Sequence, residues 1–304
     1  MSPRPDFSHS PPDATGRPHP GALTTNWPRG FRACASFTFD VDGEAGVLGA
    51  DWEARRRPSL MSHQAYGPEV GVRRILRLLE QHQVRSTFFV PGYVAELHPE
   101  PLRAVLEAGH EMAHHGYLHR SPSTLTEEEQ VEEMDRGLEA LGSLGVRPRG
   151  YRAPMWELSE RSLVHLAERG FDYDSSLMDD DAPYLLEIGS AEPRSRLVEI
   201  PIYWGLDDWE QYGFLPGASE VLPISSPEKV KQMWMAELEA VVEEGGHFVL
   251  TCHPFLSGRP SRARVLDALL RRCRELGGVW IAPLNEVADH ISATVDSARE
   301  LRSW

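Results

Sequence analysis

Two short stretches hold side chains that can bind a metal. "HHGYLH" (114–119) carries three histidines, and "TFDVDG" (38–43) carries two aspartates separated by a valine. Imidazole and carboxylate are the usual donors to a divalent transition ion, and a catalytic ion keeps a position open for water. His115 and His119 are four residues apart, a spacing that brings two rings to one side of a helical turn. Asp42, followed by Gly43, can be the carboxylate that completes such a set. Asp40 lies two residues earlier and, on an extended chain, faces the same way as Asp42. Further along, "RGYRAP" delivers Arg152, "FDYDSSL" delivers Asp174 and "HFVLTCHP" delivers His253. An HxxxH pattern alone arises often by chance. Joined to the aspartate pair and a downstream strand-end histidine, it is specific.

These groups need elements to bring them together, and the hydrophobic pattern supplies them. "RACASFTFD" (32–40), "VRSTFFV" (84–90), "HEMAHH" (110–115), "RGYRAP" (149–154), "FDYDSSL", "LVEIPIYW", "HFVLTCHP" and "VWIAPL" have the apolar or alternating character of strands. Between them lie amphipathic segments at 68–83, 99–109, 126–145, 159–170, 226–245 and 259–278, with proline or acids near several starts and glycine after several ends. Seven or eight βα units in continuous alternation predict an α/β fold, a deformed (β/α) barrel of about seven parallel strands. No glycine-rich dinucleotide fingerprint follows the first strand. In such barrels the chemistry collects at the C-terminal strand ends, where every residue named above falls. Two loops, 41–67 and 176–225 apart from its strand near 198, interrupt the pattern. Residues 1–30, rich in Pro, Ser and Gly, predict a flexible arm ahead of one domain over 31–304.

Composition narrows the classes. The chain has 304 residues and a formal net charge of −15 with no long Lys/Arg run, which disfavours nucleic acid and anionic membranes as partners. Three cysteines are too few for a disulfide framework and fit a reducing compartment. No apolar run is long enough to span a membrane, and no apolar signal segment appears near the start, so a cytoplasmic location is expected.

Taken together and in order, "TFDVDG", "HHGYLH", "GYRAP", "YDSSL" and "LTCHP" resemble the motif set of the polysaccharide deacetylase family, the NodB-homology or carbohydrate esterase 4 group. The resemblance spans residues 38 to 254. It implies a deformed seven-stranded barrel, a divalent metal, usually zinc with Co, Mn or Ni as others, and metal-assisted hydrolysis of an amide. By the same resemblance Asp42, His115 and His119 are the metal ligands, Asp40 the general base, Arg152 the residue that orients the base, and His253 the general acid. Two positions depart from the usual motifs: Val41 separates the aspartates, and Gly116 stands where Ser or Thr is usual. Both departures, with "GPEVGVRRIL" and "CHPFLSGRPSR", resemble a subgroup of peptidoglycan-deacetylase-like, allantoinase-like and cyclic imide hydrolase proteins. That subgroup implies a small amide or cyclic imide as substrate and a homo-oligomer. N-deacetylation of an acetylated sugar or glycan is the alternative. A non-catalytic carbohydrate-binding relative would lack one of these residues, and here every position is filled.

Other residues have plainer expectations. His114 alternates away from His115 and is expected to pack. Cys252 faces away from His253 and is expected to be inert. Glu44 is the second candidate for the base, Asp174 supports the arginine or a loop, and Trp209, in the aromatic and acidic stretch "YWGLDDWEQYGF" (203–214), covers the pocket or packs within its loop.

Overall fold

The computed structural model describes residues 26–189, 194–214 and 224–300. Among the described residues ten strands form one sheet: β1 (Ala33–Asp40), β2 (Thr87–Val90), β3 (Glu111–His114), β4 (Gly150–Tyr151), β5 (Tyr173–Asp174), β6 (Tyr184–Ile188), β7 (Ser195–Glu199), β8 (His247–Cys252), β9 (Val279–Ile281) and β10 (Ala298–Glu300). Eleven α-helices lie among the described residues: α1 (Ala45–Leu48), α2 (Pro58–Tyr66), α3 (Val72–Gln81), α4 (Gly92–Leu97), α5 (Pro99–Glu107), α6 (Glu127–Ser143), α7 (Ser162–Glu168), α8 (Trp209–Tyr212), α9 (Pro227–Glu244), α10 (Pro260–Leu276) and α11 (Leu284–Thr294).

Seven strands run parallel in the order β7-β5-β4-β3-β2-β1-β8. The ring closes through one bridge, Asp207 to Thr251 of β8, where the Asp208 N–H donates to the Thr251 carbonyl at 3.1 Å. This is the deformed barrel expected from the sequence. Three strands lie outside the seven: β6 pairs antiparallel with β7, β10 adds to β6, and β9 pairs with the start of β1.

β1 shows how the strands position the site. All eight of its residues are buried, as in a central parallel strand covered on both faces. Its alternation is chemical. Ala33, Ala35, Phe37, Phe39 and then Val41 enter the largest hydrophobic cluster, together with residues of α3, α9 and α10. Ser36, Thr38, Asp40 and then Asp42 take the opposite face, inside the barrel. Val41 is therefore a spacer that keeps both aspartates inside. On β8, Phe248, Leu250 and Cys252 join the same outer cluster, which leaves His253 on the inner side. Cys252 is buried and free, and burial pushes its thiol well above the ordinary range, as expected of an inert packing residue.

Three expectations change. The segment 41–67 is not a loop: it folds into α1, a 3-10 helix over Trp52–Arg56 and α2, which a π-turn over Gly67–Gly71 joins to α3. Its helical period is hidden by polar and small residues. The described part of 176–225 holds β6, β7 and α8. The expected arm lies outside the described residues up to position 25, but Trp27 within it is buried against His247, Trp280 and His290, and its indole N–H donates to the Gly245 carbonyl at 2.8 Å.

Candidate metal-dependent active site

β1, β3, β4 and β8 all end at one pocket of about 250 Å³. Asp42 leaves the end of β1, and His115 follows β3. The His115 Nδ1 lies 2.7 Å from the Arg152 carbonyl, so it donates that proton and turns Nε2 inward as a free donor atom. His115 Nε2 is 3.5 Å from Asp42 Oδ1, and His119 Nε2 is 3.4 Å from Asp42 Oδ2. The two histidines do not meet on a helical turn as the spacing predicted. They meet in a loop that bends through Gly116 (φ 72°) and through His119 itself (φ 56°), a left-handed backbone that a side chain rarely adopts. Glu133 of α6 holds this loop by accepting the Tyr117 and Leu118 N–H groups at 3.0 and 2.9 Å. The Gly92 and Tyr93 N–H groups of α4 bind its carbonyls at 3.0 and 2.9 Å.

The three residues fit a divalent cation. One donor atom from each lies within 4.8 Å of the others. Asp42 Oδ1 is buried without a hydrogen-bond partner, a costly arrangement for a carboxylate unless a cation completes it. Burial raises the Asp42 carboxyl to about 7, with His253 opposing the rise and Asp40 adding to it. Burial also lowers His119 to about 4 and His115 well below its ordinary value, so both rings are neutral near pH 7, the form that binds a metal.

Asp40 stands beside this set, its Oδ2 3.8 Å from His115 Nε2. Its Oδ1 accepts from Arg152 Nη1 at 2.8 Å. Arg152 is fully buried and makes four hydrogen bonds: Nη1 also donates to Thr38 Oγ1, Nη2 to Ser175 Oγ and Nε to the Ser175 carbonyl, while the guanidinium rests 4.1 Å over the Phe89 ring. Its orientation is fixed, and so is that of Asp40.

His253 closes the pocket from the β8 side, with Nε2 3.4 Å from Asp42 Oδ2. Its Nδ1 lies 2.7 Å from Asp208 Oδ1, which also accepts the His253 backbone N–H at 2.9 Å; Asp208 Oδ2 takes the Ser257 N–H at 3.1 Å. Burial on its own would lower the His253 pKa. The carboxyl groups of Asp207, Asp42 and Asp208 outweigh burial and push it well above its ordinary value, which favours the protonated ring. Aromatic side chains form the walls: Trp156 stacks on Trp204 with ring centroids 4.4 Å apart, and Trp209 packs edge-on to His253 at 6.1 Å.

Residues 62–173 match the polysaccharide deacetylase family. A peptidoglycan deacetylase of Helicobacter pylori is 31% identical over 277 residues, which cover 84% of this chain and 94% of that protein. The chain belongs to the polysaccharide deacetylase family. A solved structure from Mycobacterium smegmatis, assigned as a polysaccharide deacetylase, is 47% identical and superposes with a TM-score of 0.88 over 92% of this chain and 97% of that one. The structure of Puue allantoinase shares the fold, with a TM-score of 0.76 and 24% identity over 96% of this chain and all of that one. Enzymes of the deacetylase family hydrolyse carbon–nitrogen bonds other than peptide bonds.

Asp40, Asp42, His115, His119, His253 and Trp209 line this one pocket, and Arg152 reaches it through Asp40. Glu44 does not: it turns away from the pocket and engages His98 Nε2 at 2.9 and 3.1 Å, which leaves Asp40 as the base candidate. Asp174 sits behind the site. It accepts from Ser176 Oγ at 2.9 Å and shares its buried position with Glu199, which receives the Ser176 and Leu177 N–H groups. It thus supports the loop that grips Arg152. His114 is a packing residue, its Nε2 3.0 Å from the Met134 carbonyl and its Nδ1 accepting the Gly116 N–H at 3.1 Å; Gly137 leaves room for its ring, since a Cβ there would lie 2.3 Å from Nε2. Sequence reasoning missed Asp207 and Asp208. Their signal was present in "LDDW", two adjacent acids in an aromatic loop, but only the chain closure onto Thr251 ties them to His253.

Proposed function

We propose that this protein hydrolyses an amide C–N bond with a divalent metal held by Asp42, His115 and His119, zinc first and cobalt, manganese or nickel as others. The observation that carries this reading is that one pocket unites a partnerless buried carboxylate oxygen on Asp42 with an arginine-fixed Asp40 and a protonated, aspartate-held His253. When bound there, the ion would supply Lewis acidity. Asp40 does the base's work: with Oδ1 tied to Arg152, Oδ2 is the acceptor that faces the ligand set and takes the water's proton. His253 does the acid's work, because its Nδ1 proton is committed to Asp208 and its Nε2 proton points into the pocket. An amide nitrogen leaves readily only once protonated, and Nε2–H is the donor placed for it.

A volume of about 250 Å³ between tryptophan walls supports a compact, ring-shaped amide or imide as the preferred substrate. The second reading is removal of an N-acetyl group from a sugar or glycan, and the similarity to a peptidoglycan deacetylase favours it. Both use the same residues. Metal-loaded protein assayed for ring opening of succinimide and for acetate release from N-acetylglucosamine oligomers separates them; activity on the oligomers alone overturns the preferred substrate. Residues 31–304 act as one unit in this proposal, because ligands, base and acid all come from one sheet. The proposed place of action is the cytoplasm, which three free, buried cysteines support.

A further inference from the structure

One polar side chain in the pocket has no task in the chemistry above. Gln64 of α2 is 1% exposed and lines the pocket, yet its Nε2 has no hydrogen-bond partner among the described residues. A buried amide donor left unpaired costs about 1–3 kcal/mol, so such groups are rare unless a ligand completes them. Its placement is tightly held. The π-turn after α2 packs on the loop that carries His253: a Cβ on Gly71 would lie 2.1 Å from the Pro254 carbonyl oxygen, and one on Gly67 would lie 3.2 Å from Phe255. At position 71 only glycine permits this approach, and it seats α2, with Gln64, against the wall that bears the acid. Gln64 therefore brings a buried amide donor without a partner to the cavity that also holds Asp40, Asp42 and His253.

We infer that the Gln64 amide is a specificity-determining contact that donates a hydrogen bond to a second acceptor of the substrate, one that is not the carbonyl being cleaved. This rests on the compact-substrate reading above. A cyclic imide has the required form, since its second carbonyl lies in the ring plane across the nitrogen from the scissile one. A site built to hydrogen-bond a substrate group discriminates strongly against analogues that lack it, because its own donor is then left buried and unpaired.

The test uses the full chain, metal-loaded, as wild type and Gln64→Met, with succinimide and N-acetylglucosamine oligomers as probes and thermal unfolding measured without substrate. The methionine keeps the volume and removes the donor. The expected result is a rise in melting temperature, because an unpaired buried amide is gone, together with a loss in kcat/KM on succinimide of about tenfold, carried mainly by KM. A fall in melting temperature shows the amide to be structurally paired and overturns the inference. So does an unchanged kcat/KM on succinimide in a wild type that cleaves it. A wild type inactive on succinimide overturns the compact-imide reading and the second-acceptor assignment with it.

Discussion

Asp208 Oδ1 accepts two hydrogen bonds from one residue, the ring Nδ1–H and the backbone N–H of His253, at 2.7 and 2.9 Å. One oxygen thus fixes both the tautomer and the backbone of the proposed acid, and the carboxylate charge helps keep its ring protonated. Asp208→Asn keeps the shape but removes the charge. The expected outcome is a fall in kcat of about 10²–10⁴-fold, the usual range for losing a positioned acid, with metal content unchanged. The sign of the pH effect follows from the raised pKa of His253. Activity needs the protonated ring, so it is lost as pH rises through that pKa, and the variant's alkaline limb moves to lower pH. A pH profile of kcat/KM for both proteins checks this.

Arg152 is the largest charged side chain buried in the barrel, and four of its contacts converge on Asp40, Thr38 and Ser175. Arg152→Met leaves Asp40 buried without its counter-charge. A destabilisation of about 3–5 kcal/mol is expected, read by denaturant unfolding. Arg152→Lys retains the charge but not the planar fork, so it is expected to recover part of the stability and little of the activity.

The buried histidines away from the site set an acid limit on stability. Burial lowers His247 to about 3, and burial followed by Arg85 lowers His110 to about 4. The unfolded chain binds protons at these rings near pH 6.5, whereas the folded chain does so only near 3 to 4. Stability is therefore complete above about pH 6.5 and falls as pH drops towards 4. Unfolding midpoints measured from pH 7.5 to 4.5 are expected to decline, and His247→Gln is expected to flatten the slope.

Much of the site was legible because alternation along single strands dictates it. Asp40 and Asp42 share a face of β1, and Cys252 and His253 divide on β8, for reasons a period of two already contains. Arg152 was found the same way, at a strand end. What the sequence hid depends on tertiary closure. Asp207 and Asp208 are ordinary acids until the chain beyond β7 bridges to Thr251. His115 and His119 were expected on a helical turn, but the left-handed backbone at Gly116 and His119 makes a loop that Glu133, α4 and the Arg152 carbonyl hold in place. Glu44 looked like a base because it follows Asp42 closely; α1 begins one residue later and turns it towards His98. Gln64 lay in a segment whose polar, small-residue pattern concealed a helix.

Chelation offers a stability test of the ligand set. Because burial raises the Asp42 carboxyl to about 7, metal binding is expected to weaken as pH falls below 7 and to release protons. Calorimetry at pH 8 and pH 6, in buffers of different ionisation enthalpy, measures both effects, and the melting temperature is expected to fall when the ion is stripped.

The central claim is that Asp42, His115 and His119 hold one divalent ion on which amide hydrolysis depends. The most direct measurement is zinc titration of chelator-stripped wild type and of Asp42→Ala at pH 7.5, with bound metal counted per chain. One tightly bound ion per wild-type chain is expected, with a loss of affinity of about a hundredfold or more in a variant that still folds. Equal zinc binding by both proteins, or none by the wild type, would contradict it.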